Sequence, residues 1–166
     1  LQEKIIGVTG HRNLPKFSQI RLCVQEVISG LAQQTGRLIV LSPLAEGADR
    51  LVATEVLRLP NSSLRVVLPL EIEEYRKDFK SPASIAEFQD LLDRAELVKV
   101  LAPAENREMA YESVGRYVVD HCDFLIALWD GNETHKQGGT AEIVTYARNK
   151  HKPLCWINIE NIHDKI

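Results

Sequence analysis

Short apolar runs, each too brief for a helix with its own core, recur along the whole chain. They are Ile5-Ile6-Gly7-Val8-Thr9, Leu38-Ile39-Val40-Leu41-Ser42, Leu64-Arg65-Val66-Val67-Leu68, Leu97-Val98-Lys99-Val100-Leu101, Asp123 to Leu128, and Pro153 to Ile157. Between them, apolar residues return every three or four positions. Ile20, Val24, Val27, Ile28 and Leu31 form the first such set, which Gly36 is expected to stop. Ala48, Leu51, Val52 and Val56 form the second, closed before Pro60. Ile85, Phe88, Leu91 and Leu92 form the third, and Tyr111, Val114, Tyr117 and Val118 the fourth. The last runs from Thr140 to Asn149. Strands that are apolar throughout need cover on both faces, and alternating amphipathic helices supply it. Right-handed crossovers then give an α/β fold: a doubly wound, mostly parallel, Rossmann-like sheet of about six strands. Leu70 to Pro82 is mostly polar, with Tyr75 and Phe79 interspersed, and is expected to loop over the top of the sheet.

The chain of 166 residues is expected to form a single domain, 1–166. Its start at Leu1 and its patternless tail after Glu160 suggest a domain excised from a longer protein. No signal peptide opens it and no apolar run nears the roughly 20 residues of a membrane span. The expectation is a cytoplasmic protein without direct membrane insertion. Cys23, Cys122 and Cys155 lie in apolar patterns and read as reduced core thiols. His11, His121, His135, His151 and His163 make no metal-ligand spacing, so no metal and no cofactor are expected. His121 falls on the apolar side of its helix and reads as a core histidine. The net charge of −3 leads to an expectation of no nucleic-acid partner.

A sheet of this kind binds ligands at the carboxyl ends of its strands, where strand order reverses. If the first and fifth strands are neighbours there, two loops meet. The first is Thr9-Gly10-His11-Arg12-Asn13. The other is Trp129-Asp130-Gly131 through the polar stretch Asn132 to Gln137 to Gly138-Gly139-Thr140-Ala141-Glu142. Gly10 permits a tight turn and a close ligand, Thr9 and His11 offer hydrogen bonds, and Arg12 suits a phosphate. Gly138 and Gly139 remove bulk before a helix start, where Thr140 is expected to cap the helix and contact an oxygen. Asp130 either binds a ribose or water or braces its loop. A third loop, Ala45-Glu46-Gly47-Ala48-Asp49-Arg50, places Glu46 and Gly47 beside the same end. Glu46 suits ribose hydroxyls; Asp49 reads chiefly as a helix-dipole partner. Tyr75, Arg76 and Asp78 are candidates to close over a ligand, while Arg107 and Arg116 suit the surface. Asp120 and Asp123 lie at the opposite end of the sheet. The chain has no G-x-G-x-x-G after its first strand, no G-x-x-x-x-G-K-[ST] and no G-x-S-x-G.

Taken together, Val8-Thr9-Gly10-His11-Arg12, Leu44-Ala45-Glu46-Gly47-Ala48-Asp49-Arg50-Leu51 and Asp130-Gly131 leading to Gly138-Gly139-Thr140-Ala141-Glu142 resemble the SLOG superfamily. That group includes the Lonely Guy phosphoribohydrolases, the DNA-processing A proteins, and sensor domains of Thoeris bacterial defence proteins and TRPM channels. The resemblance spans about Lys4 to Ile157. It implies binding of nucleotides or nucleotide-derived signals, with Gly10, Gly139 and Thr140 in the phosphate or ribose cradle and Arg107 near the arginine of the hydrolases. The hydrolases read Gly-Gly-x-Gly-Thr-x-x-Glu, and aligning Gly139-Thr140 on their Gly-Thr puts Ile143 at the glutamate. The nucleoside deoxyribosyltransferases show a similar frame, matched by Gly139-Thr140-Ala141 and Tyr146-Ala147, and there too Ile143 stands at the carboxylate nucleophile. Glu142 is one residue early, about a 100° turn of helix away. The expectation is a ligand-sensing, signalling domain for a small molecule related to NAD, ADP-ribose or a nucleoside monophosphate. It would act on an attached effector domain or a homo-oligomeric partner. The alternative is an N-glycosidic hydrolase using Glu142 or Asp130.

Overall fold

The computed structural model describes residues 2–133 and 137–162. Six strands form one sheet: β1 (Glu3–Gly10), β2 (Arg37–Ser42), β3 (Ser62–Leu68), β4 (Leu97–Val100), β5 (Phe124–Trp129) and β6 (Leu154–Asn158). The spatial order is β4-β3-β2-β1-β5-β6, and every neighbouring pair is parallel. The chain winds outward from β1 to β4, then returns to lay β5 on the other side of β1. That return is the reversal at which such sheets bind ligands.

Alternation along the strands divides the core in two. Ile6, Val8, Val40, Val66, Ile126 and Leu128 point to one face. There α1 (Phe17–Gln33), α2 (Ala48–Leu57) and α4 (Pro82–Asp93) cover them with Ile20, Val24, Val52, Val56 and Phe88. Leu41, Val67 and Leu125 point to the other face, with Ala127 and Trp129 beside them. α5 (Arg107–His121) and α6 (Thr140–Asn149) close that side. The central strands are buried on both faces because both are covered. β4 lies at the edge, which is why its apolar Leu97 stays 56% exposed. The helix starts follow ordinary capping chemistry: Ser81 accepts from Ser84 N–H ahead of Pro82, and Asn106 accepts from Met109 N–H.

Some expectations need correction. The stretch from Leu70 to Pro82 is more than a loop, because it contains the short helix α3 (Ile72–Arg76), anchored by the buried Tyr75. α1 ends at Gln33 with Gln34 as its cap, ahead of Gly36. His121 is exposed: it stacks on Tyr117 at 3.8 Å and its Nδ1 lies 2.8 Å from the Tyr117 carbonyl oxygen, at the last turn of α5. The cysteines are free, with Cys122 buried and Cys23 and Cys155 half-buried. Asp123 sits at the amino end of the sheet, accepting from Ile5 N–H at 2.8 Å.

Gly10 closes the central strand. A Cβ there would lie 2.5 Å from the Ala48 Cβ and 2.7 Å from the Leu128 carbonyl oxygen. Gly10→Ala is therefore expected to destabilise the fold by about 2 kcal/mol or more, read as a lower urea midpoint with an unchanged slope.

Candidate functional site

At the reversal, backbone bonds stitch three loops together. His11 N–H donates to the Leu128 carbonyl at 3.0 Å, and Ala48 N–H donates to the His11 carbonyl at 3.1 Å. Gly47, with φ of 84°, packs so closely that a Cβ would lie 2.2 Å from the Arg12 carbonyl oxygen. Gly10 and Gly47 thus let protein approach protein. For Gly10 the sequence reading expected a tight turn and a close ligand.

The side chains at this junction are polar; Asp49 and Tyr75 are buried, His11 and Asp130 half-buried, and Arg12 exposed. His11 Nε2 lies 3.3 Å from Asp130 Oδ1. Asp130 also accepts from Asn132 N–H at 2.9 Å and from its Nδ2 at 3.2 Å, so it braces the loop after β5. The Asn132 N–H, with His11, holds its carboxyl below the usual range despite some burial. Asp49 is 6% exposed and accepts from Ala45 N–H at 3.1 Å. Burial pushes its carboxyl up to about 7, against the pull of that N–H and of Arg12 and Arg50. It is a buried acid beside two guanidinium groups, more than a helix-dipole partner.

Tyr75 and Tyr111 complete the junction. Tyr75 is fully buried and its hydroxyl has no hydrogen-bond partner among the described residues. Burial first, then the Asp49 charge, raise its pKa beyond the ordinary tyrosine range. Its ring lies 6.3 Å from that of Tyr111, whose buried hydroxyl is also unpartnered. Arg12 sits over the Tyr111 ring at 5.7 Å. On its other side Tyr111 meets the glycine pair: a Cβ on Gly138, whose φ is 74°, would lie 3.2 Å from Tyr111 Cβ. Tyr111 therefore links the loop after β1 to the start of α6. Sequence reading treated it only as an apolar helix residue. Its place five residues after Asn106, the cap that opens α5, was the available signal.

The start of α6 differs from expectation. Gly139 is the N-cap and Thr140 the first helical residue, and no side chain caps the helix, so the expected Thr140 cap does not form. Glu142 turns back on its own helix. It accepts from Gly138 N–H at 3.3 Å and lies 4.0 Å from Arg116. Ile143 is buried between α6 and α5, in a space that Gly115 leaves open: a Cβ on Gly115 would sit 2.5 Å from Ile143 Cδ1. Asn132 and Glu133 are exposed; the expected polar flap at 134–136 falls outside the described residues.

The other candidates are structural ties. Glu46 accepts from Lys80 N–H at 3.2 Å and so braces the segment after β3. Arg107 holds that segment from the other side, donating to Asp78 at 3.0 Å, to Glu74 Oε1 at 3.0 Å and to the Glu74 carbonyl at 2.8 Å. Arg76 pairs with Glu73 and Gln89. The expected lid of Tyr75, Arg76 and Asp78 is accordingly pinned as a wall. Thr9 lies within β1, opposite Ala127.

No family model matches the chain, and no curated protein matches it. Solved structures do. DNA processing protein A from Helicobacter pylori superposes with a TM-score of 0.59 at 18% identity, over 92% of this chain and 64% of that one. The structural-genomics target TM1055 superposes with a TM-score of 0.56 at 18% identity, over 91% of this chain and 72% of that one. This chain thus spans less than two thirds of the Helicobacter structure. At this identity the likeness establishes the fold. It agrees with the resemblance to the SLOG superfamily, which includes the DNA-processing A proteins. It also corrects one expectation. The Helicobacter structure was determined for its mode of single-stranded DNA binding. A fold of this kind serves a nucleic acid in that protein, so the expectation of no nucleic-acid partner, drawn from net charge, does not stand. No helix among the described residues is long and apolar enough to cross a membrane.

Two outcomes follow from the buried groups. In the unfolded chain Asp49 titrates near 3.8, and in the fold near 7. The folded state therefore holds the proton more tightly. The stability Asp49 contributes is full below about pH 4 and is lost as pH rises towards 7. Asp49→Asn is expected to be more stable than wild type at about pH 8 by about 1–3 kcal/mol, with the difference shrinking at about pH 5, as read by urea unfolding at both. Ile143→Glu, which introduces the residue type of the resembling hydrolases, is expected to cost about 3 kcal/mol or more, because it buries a carboxylate between two helices. Thermal unfolding of the variant checks this.

Proposed function

We propose that this chain is a binding domain for a nucleotide-derived small molecule, a nucleoside monophosphate or an ADP-ribose-related compound, held at the carboxyl ends of β1 and β5. The observation that carries this reading is the position of Tyr111. It joins Arg12, Tyr75 and Gly138 around two buried hydroxyls that have no partner among the described residues. Buried polar groups are ordinarily satisfied, and hydroxyls left over at a ligand end are suited to ribose or phosphate oxygens. Arg12 is exposed and supplies a cation, and the uncapped amino end of α6 supplies N–H groups.

Binding without cleavage is the better supported form. Both carboxylates that hydrolysis would need are engaged: Glu142 on Gly138 N–H, Asp130 on Asn132 and His11. The position of the family's carboxylate holds Ile143, inside a helix interface. A sensing role then follows: ligand contacts at His11, Arg12 and Tyr111 bear on loops that join three strands, and an attached domain or a second copy would read the change.

Calorimetric titration with AMP, NAD, ADP-ribose and cyclic ADP-ribose, with a short single-stranded oligonucleotide in parallel, tests this. At least one small nucleotide is expected to bind. Arg12→Ala is expected to weaken it about tenfold or more and Tyr111→Phe about fivefold. Wild type and Glu142→Gln are expected to release no free base from AMP above background. Absence of binding by every small nucleotide at millimolar concentration sinks the reading, and base release that Glu142→Gln abolishes replaces it with hydrolysis.

A further inference from the structure

Asp49 follows Gly47 and Ala48, which pack on the backbone of His11 and Arg12. It is 6% exposed, and among the described residues one hydrogen bond reaches its carboxyl, from Ala45 N–H at 3.1 Å. A buried carboxylate stays ionised when several donors or a bonded cation hold it. The two guanidinium groups nearby are committed elsewhere. Arg50 donates Nε to the Leu44 carbonyl at 3.0 Å and Nη1 to the Ser84 hydroxyl at 2.8 Å. It also meets Glu87 of α4 at 3.2 Å and stacks over Phe79 at 4.5 Å. Arg12 lies over the Tyr111 ring at 5.7 Å.

The other charged and titratable groups around Asp49 come from three directions. From α3, the buried Tyr75 hydroxyl is opposed in its own ionisation by the Asp49 charge. Asp78, just after α3, is held by Arg107 of α5 at 3.0 Å. At the rim, His11 and Asp130 lie 3.3 Å apart. Arg12 therefore faces two ways. It is the exposed cation of the ligand junction, and its charge acts on Asp49 ahead of that of Arg50. Ionised, Asp49 sets a negative charge under a ligand phosphate and shares the field of Arg12 with it. Protonated, it leaves that field to the ligand. Burial already holds the carboxyl near the balance of its two forms, at about 7, so a second anion close by tips it towards the protonated form.

We propose that nucleotide binding at the junction of β1 and β5 is proton-linked through Asp49: the bound phosphate draws a proton from solvent onto the Asp49 carboxyl, and loss of that proton weakens the ligand's hold. The proposal rests on the binding function proposed above and adds its regulation by pH. An anion disfavours the charged form of a neighbouring carboxyl, so the ligand raises the proton affinity of Asp49, and protonation raises ligand affinity by the same factor. Affinity therefore falls as pH rises through the range in which Asp49 ionises in the free protein. Calorimetric titrations with ADP-ribose, NAD, cyclic ADP-ribose and AMP, at about pH 6 and about pH 8.5, on wild type and Asp49→Asn, test this. The diphosphates of the first three carry constant charge over this interval; AMP loses a phosphate proton at about pH 6 and is read only as the ratio of variant to wild type. For each nucleotide that binds, that affinity ratio is expected to rise about fivefold from the lower pH to the higher. Wild-type titrations with a diphosphate ligand at about pH 7.5, in buffers of different ionisation enthalpy, are expected to show net proton uptake, a readout that needs no variant. Parallel pH profiles of wild type and Asp49→Asn, or diphosphate binding without proton uptake, overturn the proposal and leave the binding function standing. Absence of binding by every nucleotide at both pH values overturns both.

Discussion

The structure depends on the close approach at the end of β1. Gly10 lies against the Leu128 carbonyl and the Ala48 side chain, and His11 then bonds to both β5 and α2 through its backbone. This contact holds the reversal shut. It fixes where the loops after β1, β2 and β5 emerge relative to one another. Every polar group at the junction is placed through it: His11 against Asp130, Arg12 over Tyr111, and Asp49 under the first loop. The central strands supply the rigidity, since each has a neighbour on both sides and cover on both faces.

On that frame, buried polar chemistry is concentrated at one end of the sheet. Arg50 and Arg107 tie α4 and α3 to the loops around them, so the wall beside the junction is held by guanidinium bonds. Inside it, Asp49 and Tyr75 are kept from water with few protein partners. Such groups weaken a fold unless something satisfies them. A site that binds a polar ligand accepts that cost, and an ordinary core does not. Ile143 and Gly115 show the complementary change. Where resembling enzymes carry a carboxylate, this chain has an apolar side chain locked between helices, and Glu142 serves the helix start.

Much of the fold was legible because its signals are periodic. Continuous apolar strands and three-four repeats located all six strands and the five longer helices between them. The parallel reversal followed from covered strands and handed crossovers. Helix α3 was not legible, since five residues carry too little periodicity and its anchor, Tyr75, stands in a polar stretch. His121 misled because its apolar neighbours on the helix lie on a face that ends before it does. Of the residues read from the loops, His11 and Asp130 come together, while Arg12 lies over Tyr111. Gly10 was read as permitting a tight turn and a close ligand; it lies against the Ala48 side chain and the Leu128 carbonyl. Spacing alone does not say what a glycine faces. Tyr111 and the burial of Asp49 depend on contacts between elements far apart in sequence, which no local pattern contains.

The central claim is that a small nucleotide sits among Arg12, Tyr111 and the start of α6. A crystal structure of the protein soaked with ADP-ribose or AMP tests it most directly. The account predicts ligand phosphate or ribose oxygens within hydrogen-bond distance of the Tyr111 hydroxyl and the Arg12 guanidinium, with Glu142 still turned onto Gly138 N–H. A nucleotide seated at the opposite end of the sheet, beside Asp120 and Asp123, would contradict it, as would one whose anomeric carbon lies against Glu142.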